Sequence, residues 1–260
     1  MNTYENRVIA FLDILGFKDW IAKIDEPQNF EIIKKVVDYI ANVRYERYHG
    51  FFSDINTIDK EVSVFSDSIV ISYSKLERGG FFYLLMDLVY ICIYLNQIGV
   101  FLRGSVTFGK LYHENHVCFG DAMVEAYNIE QSLAKYPRIV VAEKAIIHGI
   151  EVPGYANTSE HEMEYLGQLL KKDKNDNWFY LDYLSQDQEI DDPNCYPCVL
   201  YKVKKHVINN LNSTRNNRKI FKKYQWFAKY YNDTVRKLYK KSFYRKNDLL
   251  IPAELIKYKI

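Results

Sequence analysis

Apolar residues occur along this chain both as short continuous runs and as helical repeats. Residues 7–14 (RVIAFLDI) are apolar almost throughout, which is typical of a central strand buried on both faces. Residues 28–48 instead repeat apolar side chains every three or four positions and predict an amphipathic helix. The remaining predicted strands cover 61–65, 68–73, 100–108, 116–119 and 138–141, and the next helices cover 81–97 and 121–134.

The order of these elements predicts the fold class. A strand, a helix, a hairpin, a helix, two strands, a helix and a strand indicate an α+β fold, with helices packed on one face of a mostly antiparallel sheet. A hairpin at 163–183, with the turn KKDKNDN, and helices beyond 199 follow, with a break expected at the Asn cluster 209–217. We therefore expect a first domain over 1–150, with a C-terminal extension over 151–260 packed on it.

The segment 81–101 is apolar enough, over enough residues, to be tested as a membrane span. Polar side chains recur in it at steps of three and four, at Tyr83, Asp87, Tyr90, Tyr94 and Gln97. An Asp near the centre of a membrane helix costs about 2.5–3.5 kcal/mol. The pattern therefore favours a buried core helix and no membrane contact.

Composition excludes wholesale disorder, because 48% of the 260 residues are hydrophobic. The four cysteines are too few for a disulfide scaffold, and the first residues lack the succession of a signal peptide, so we expect a cytoplasmic protein. Cys195 and Cys198 could supply two ligands of a zinc ion, but neither a second such pair nor a spaced His pair follows.

Charge is distributed unevenly along the chain. Residues 1–198 carry 18 basic and 30 acidic residues, whereas 199–246 carry 15 basic residues and the single acid Asp233. The basic stretch interleaves Lys and Arg with aromatic residues, so it is either a phosphate-seeking surface or a solvated helical pair docked on an acidic body.

Two acids carry the candidate chemistry. Asp13 ends the first apolar strand, and Asp67 lies at the tip of the predicted hairpin. Carboxylates at the ends of adjacent strands can share the two divalent cations that phosphoryl transfer uses, and Mg²⁺ or Mn²⁺ suits such hard oxygen ligands. Alternatively, each Asp only caps a strand end or a turn.

Three blocks, FLDILGF, FSDSIVIS and LRGSVTFGKLYHENHVCFGDAMVEAYNIEQSLAKYPRIVVAEKA, resemble in order and spacing the catalytic domain of class III nucleotidyl cyclases. The similarity is greatest to the pyrimidine cyclases of the bacterial Pycsar anti-phage systems, and it covers roughly residues 7–148. It agrees with the reading of the two acids.

The resemblance implies a homodimer with active sites across the subunit interface, and two Mn²⁺ or Mg²⁺ ions at Asp13, Asp67 and the backbone carbonyl of Ile14. The 3′-hydroxyl of a nucleoside triphosphate would attack its own α-phosphorus and release pyrophosphate. Further nucleotide-binding candidates are Phe11, Leu15, Gly16, Phe17 and Phe65; Leu15, Gly16 and Phe17 would offer backbone amides to the phosphates.

Departures from the purine cyclases bear on the substrate. The base-reading Lys of those enzymes is Ser63 here, which leaves room for a pyrimidine edge. Their helical Asn and Arg fall on Val124 and Asn128, so the usual transition-state arginine is missing. Arg103 and Arg138 are the best local replacements. Asp121 aligns with a base-contacting Asp but could cap the helix, and Tyr127 could line the pocket or belong to the core.

We therefore expect a uridylate cyclase that converts UTP to 3′,5′-cyclic UMP, the signal for a separate effector protein in anti-phage defence. A cytidylate cyclase using CTP remains open, because no motif separates uracil from cytosine. A cyclase-like domain that binds nucleotide without turnover is a second alternative, since Asn128 replaces the arginine. A nucleic-acid-binding protein using residues 199–246 is the third and least favoured, since nothing in the sequence reads bases.

Overall fold

The computed structural model describes residues 4–43, 58–190, 192–240 and 248–252. These residues contain eight strands, which are β1 (Glu5–Ile14), β2 (Lys60–Phe65), β3 (Ser68–Ser74), β4 (Leu102–Glu114), β5 (Val117–Phe119), β6 (Ile139–Val141), β7 (Leu170–Lys172) and β8 (Phe179–Leu181). The described ranges also contain eight α-helices, which are α1 (Phe17–Ile21), α2 (Pro27–Val43), α3 (Gly80–Gln97), α4 (Asp121–Leu133), α5 (Glu143–Glu151), α6 (Ser159–Leu169), α7 (Tyr196–Ser213) and α8 (Arg218–Leu238).

The strands form one sheet in the order β2-β3-β1-β4-β6-β8-β7, and β5 pairs with β4 beside this path. Among the described strands, β4 and β6 are the one parallel pair. The predicted α+β fold with a mostly antiparallel sheet is confirmed. The sheet also runs through the predicted boundary at residue 150, which lies inside α5, because β8 of the C-terminal part pairs with β6.

β1 is the central strand, buried on both faces as its apolar run predicts. Val8, Ala10 and Leu12 belong to the large core cluster on one face, whereas Ile9 and Phe11 pack on the other face against α4. The prediction that helices cover one face of the sheet is therefore wrong. Both faces of β1 are apolar, so each requires a covering layer.

α3 is the core helix that the sequence predicts. By length and composition it could cross a membrane, but 72% of its residues are buried inside the protein. Its acid Asp87 lies 3.0 Å from Nζ of Lys60 on β2, and it accepts a 2.6 Å hydrogen bond from the Tyr73 hydroxyl. These partners compensate the charge that the apolar segment brings into the core.

The C-terminal part differs from the prediction in one element. Residues 159–169 form α6 rather than the first arm of a hairpin, because the Thr158 side chain caps the helix by accepting from the His161 amide. The hairpin is the shorter pair β7–β8. Helix α5 is also unpredicted.

The basic stretch forms α7 and α8 with the expected break between them, and the Asn217 side chain caps α8. Helix α2 ends at Val43, and residues 44–48 of its predicted span lie outside the described residues.

Candidate active site

Asp13 and Asp67 are brought together at one end of the central strands. Asp13 pairs with Ser68 of β3 on one side and with Arg103 of β4 on the other. Ser66 and Asp67 form the two-residue turn between β2 and β3, with Ser66 at a left-handed φ of 56°. The Asp67 carbonyl accepts a 2.9 Å hydrogen bond from the Ile14 amide, which fixes the turn against the end of β1.

Arg103 links Asp13 to a third acid. Its Nε lies 2.7 Å from Oδ2 of Asp13 and 2.8 Å from Oε1 of Glu130 on α4. Burial raises the pKa of the Asp13 carboxyl; Arg103 opposes that increase, and the charge of Asp67 adds to it. Burial likewise raises the pKa of Glu130, against the effect of Arg103. The guanidinium therefore holds two carboxylates that burial disfavours in their charged form.

Glu130 is a site residue that sequence reasoning missed. It is wholly buried and shares its helix face with Ala122, Ala126 and Ile129. The sequence signal for Glu130 is its place on the apolar stripe of α4, because a buried carboxylate requires a partner in the fold. Its partner is Arg103, so α4 is tied by charge to the strand ends that carry Asp13.

The donor set at this end of the sheet suits a hard divalent cation. Asp13 and Asp67 provide carboxylates, and the Ile14 carbonyl leaves β1 on the same side as the Ile14 amide, towards Asp67. No group of three His, Cys, Asp or Glu side chains is found within the described ranges, so backbone oxygen, substrate and water would complete the coordination. Cys195 and Cys198 are exposed free thiols.

The turn after Asp13 offers fewer amides than the sequence predicts. The Leu15 amide donates a 2.9 Å hydrogen bond to the Phe101 carbonyl, so the fold already uses it. Gly16 has a φ of 81° and directly precedes α1, which begins at Phe17. Gly16 and Phe17 therefore stay the phosphate-site candidates of this turn, and Leu15 does not.

Ser63 is buried in a polar network. Its hydroxyl lies 2.9 Å from Nε2 of His113, and the Ser72 hydroxyl lies 2.8 Å from Nδ1 of the same ring. Arg7 donates from Nε to Ser72 and pairs with Asp59. The hydrogen-bonding role of Ser63 is thus set by His113, which the sequence did not indicate.

The α4 candidates lie on an open surface groove. Asp121 is the first residue of α4 and Gly120 occupies the cap position, so Asp121 is not the cap. Asp121, Val124 and Asn128 line the groove together with Trp178. The exposed Tyr127 ring meets the buried Phe11 ring edge-on, 5.8 Å away. Phe65, beside the Asp67 turn, is 83% exposed.

Arg138 is not a catalytic cation in this structure. Its side chain is 1% exposed, its Nη1 lies 2.6 Å from Asp173, and its Nη2 pairs with Asp176 and donates to the Leu133 carbonyl. The guanidinium is committed to the loop between β7 and β8. The prediction that Arg138 replaces the missing arginine is wrong for this reason.

Neither a scan against protein-family models nor a search of curated proteins finds a match to this chain. Among the solved structures, 37 chains match. The adenylyl cyclase CyaB from P. aeruginosa has a TM-score of 0.43 and 8% identity, covering 57% of this chain and 82% of that one.

Two further structures are similar to the same extent. A bacterial light-regulated adenylyl cyclase has a TM-score of 0.41 and 14% identity, covering 62% of this chain and 58% of its own. The catalytic core of a rhodopsin-guanylyl cyclase with converted specificity, in complex with ATPαS, has a TM-score of 0.41 and 11% identity, covering 68% of this chain and 96% of its own. The chain spans less than two thirds of the light-regulated structure. These values describe a partial likeness of architecture.

Proposed function

We propose that this protein is a pyrimidine nucleotide cyclase that converts UTP to 3′,5′-cyclic UMP and pyrophosphate. The observation that carries the proposal is the meeting of Asp13 and Asp67 at the ends of adjacent central strands, with the Ile14 backbone between them. If each acid only capped a turn or a strand end, the two would have no reason to lie together. Two partly exposed carboxylates at neighbouring strand ends suit the handling of a triphosphate.

In the proposed reaction, the 3′-oxygen forms a bond to the α-phosphorus while the bond from that phosphorus to the leaving pyrophosphate breaks. The proton of the 3′-hydroxyl is released to solvent. Asp13, Asp67 and the Ile14 carbonyl would hold divalent cations, which would lower the pKa of the 3′-hydroxyl and neutralise charge on the phosphates. Arg103 orients the Asp13 carboxylate through its 2.7 Å contact. The amides of Gly16 and Phe17 would face the phosphates.

The preference for uracil is supported by the network behind Ser63. Arg7 donates to Ser72, and in the tautomer in which the Ser72 hydroxyl donates a hydrogen bond to Nδ1 of His113, the ring carries its own proton on Nε2. His113 then donates to Ser63, and the Ser63 proton stays available for a base acceptor. The exocyclic O4 of uracil is an acceptor, whereas cytosine presents a donor there. CTP is the alternative substrate. The opposite tautomer of His113 favours it, because Ser63 then donates to Nε2 and its oxygen can accept from the cytosine donor.

Homodimerisation is supported by apolar side chains that α4 and its neighbours expose. Val124 and Tyr127 are exposed on α4, Val117 and Phe119 on β5, and Phe65 at the end of β2. Contiguous exposed apolar patches mark association surfaces, and we propose that these side chains form one. A second copy of the chain would cover them and place the Asp121 groove opposite the carboxylates of its partner.

The biological role that we propose is anti-phage signalling in the cytoplasm, in which the cyclic nucleotide activates a separate effector protein. Its support is the resemblance of the three sequence blocks to Pycsar cyclases. No contact between cyclase and effector is required, because the product diffuses.

The test incubates the purified protein separately with ATP, GTP, CTP and UTP plus Mn²⁺ and identifies products by mass. We expect cyclic UMP from the wild type and from Asp38→Asn, which alters an exposed acid on α2. Asp67→Asn should form none. Cyclic CMP alone would transfer the proposal to CTP, and tight nucleotide binding without product would favour the inactive nucleotide-binding alternative.

Subunit mixing tests the dimer. Asp67→Asn disables the metal side, and Asp121→Ala together with Asn128→Ala disables the groove side. If active sites combine both sides from different protomers, mixing the two inactive proteins restores cyclic UMP formation in the heterodimer. Continued inactivity of a mixture that sediments as a dimer would contradict the shared site.

A further inference from the structure

The basic helix α8 crosses the same end of the sheet as Asp13. The Phe101 ring, directly before β4, contacts Tyr224 at 5.6 Å and Phe227 at 5.0 Å between ring centroids. The Phe101 carbonyl also accepts the Leu15 amide, which fixes it to the end of β1. The C-terminal extension therefore packs directly beside the turn that follows Asp13.

A second contact fixes which side of α8 faces the site. Trp226 stacks on Tyr136 at 5.5 Å, just before β6. Residues three and four apart share one side of a helix, so Lys219 and Lys223 lie on the same stripe as Trp226. Both lysines therefore lie on the side of α8 that carries Trp226, within about two turns of the residues that contact Phe101.

Lys223 is half-buried in the charge cluster of the candidate site. Burial lowers the pKa of its ammonium, Arg103 and Lys219 lower it further, and Asp13 and Glu130 raise it. In the described part of the chain, the ammonium has no ion pair within 4.0 Å, whereas Arg103 pairs with two acids. Lys223 is therefore held near Asp13 without being committed to a carboxylate.

A half-buried ammonium with no carboxylate within 4.0 Å can form a charge-assisted hydrogen bond with an anion that binds beside it. The other arginine predicted for the site, Arg138, is enclosed by Asp173 and Asp176. The polyphosphate of a nucleotide would supply several negative oxygens beside the Gly16 turn, within the stretch that α8 covers. Lysine suits such a site as a compact charge with three donors.

We propose that Lys223, assisted by Lys219, binds the β- and γ-phosphates of the nucleotide in its own protomer, so that α8 forms one wall of the active site. This inference rests on the proposed function. It gives the basic C-terminal stretch a role in substrate binding and in the release of pyrophosphate.

The test measures the binding of inorganic tripolyphosphate with Mg²⁺ by titration calorimetry, and the KM for UTP. The variants are Lys223→Gln and Lys223→Arg, with Lys222→Gln as the matched control because Lys222 is the exposed neighbour. We expect Lys223→Gln to weaken tripolyphosphate binding about tenfold or more and to raise KM similarly, since a charged hydrogen bond is lost. Lys223→Arg should retain most of the affinity, and binding of UMP should not change.

The outcomes separate this inference from the cyclase proposal, because tripolyphosphate binding needs no turnover. Binding that depends on Lys223 in a protein that makes no cyclic nucleotide would leave the inference standing and remove the reaction. Turnover with unchanged tripolyphosphate affinity in folded Lys223→Gln would overturn the inference alone. If Lys223→Gln does not fold, Lys219→Gln takes its place, because Lys219 is exposed. Weaker tripolyphosphate binding by that variant would support the proposal, and unchanged binding would overturn it.

Discussion

Asp13 and Arg103 are paired residues of β1 and β4, and Nε of the arginine lies 2.7 Å from Oδ2 of the aspartate. The same guanidinium atom lies 2.8 Å from the wholly buried Glu130. Arg103 therefore positions the Asp13 carboxylate, the proposed metal ligand, and compensates the buried acid of α4. Its charge belongs to the fold before any substrate binds.

Replacing Arg103 should destabilise the protein mainly through Glu130. We expect Arg103→Gln to lower the free energy of unfolding by about 3 kcal/mol, because a buried carboxylate loses its partner. Adding Glu130→Gln should recover part of that loss, since the wholly buried carboxylate is then replaced by a neutral amide. Urea denaturation of the two single variants and the double variant measures the coupling, and strictly additive losses would contradict it.

Arg138 should prove structural. Arg138→Met leaves Asp173 buried without its cation, so we expect the free energy of unfolding to fall by about 3 kcal/mol. The kcat per folded molecule should stay close to that of the wild type. Denaturation curves and rates measured below the unfolding temperature check both expectations. A variant with native stability and no turnover would show that Arg138 acts in the reaction after all.

The stability of the protein should decrease as the pH falls below about 6.5, the ordinary pKa of histidine. Burial lowers the pKa of His148, whose ring stacks on Phe108 at 4.0 Å. Because the unfolded chain then binds a proton that the folded protein does not, the contribution of neutral His148 is present above pH 6.5 and is lost as the pH falls towards the folded pKa.

The comparison that tests this uses His148→Gln. The difference in Tm between pH 7.5 and pH 5.5 should be smaller in this variant than in the wild type. An equal difference in both proteins would assign the pH dependence to other groups.

Metal binding should stabilise the folded protein only when both carboxylates are present. At a hundredfold excess over its Kd, a ligand that binds the folded state adds about 2.7 kcal/mol to the free energy of unfolding. Thermal scans with Mn²⁺ should therefore show a higher Tm for the wild type and Asp38→Asn, and no shift for Asp13→Asn or Asp67→Asn. A shift in all four proteins would place the cation elsewhere.

Much of the fold followed from local periodicity. The continuous apolar run of β1 and the helical repeat of α3 determine elements that tertiary contacts then only complete. The hairpin predicted over 163–183 is wrong in its first arm, because apolar positions are few there and the helix α6 depends on the Thr158 cap. The sequence predicts helices on one face of the sheet, whereas both faces are covered. Periodicity shows which face of a strand is apolar, but it does not show where each helix packs.

The candidate active site follows from the sequence only where it depends on the pairing of strands. Asp13 lies next to the end of β1 and Asp67 lies in the β2–β3 turn, so their meeting depends on strand pairing that the pattern already indicates. The partners of Arg138 and Ser63 could not be predicted, because Asp173 and His113 approach them from distant segments. Lys223 lies more than two hundred residues after Asp13, and only the packing of α8 on Phe101 brings the two close.

The central claim is that the protein forms a cyclic nucleotide and needs both Asp13 and Asp67 to do so. Product formation in variants of these two residues tests it most directly. The measurement follows cyclic UMP by mass after UTP and Mn²⁺ are added to the wild type, Asp13→Asn and Asp67→Asn, each first shown to be folded. We predict product from the wild type alone. Product in equal amount from either variant, or none from the wild type with any of the four nucleoside triphosphates, would contradict the account.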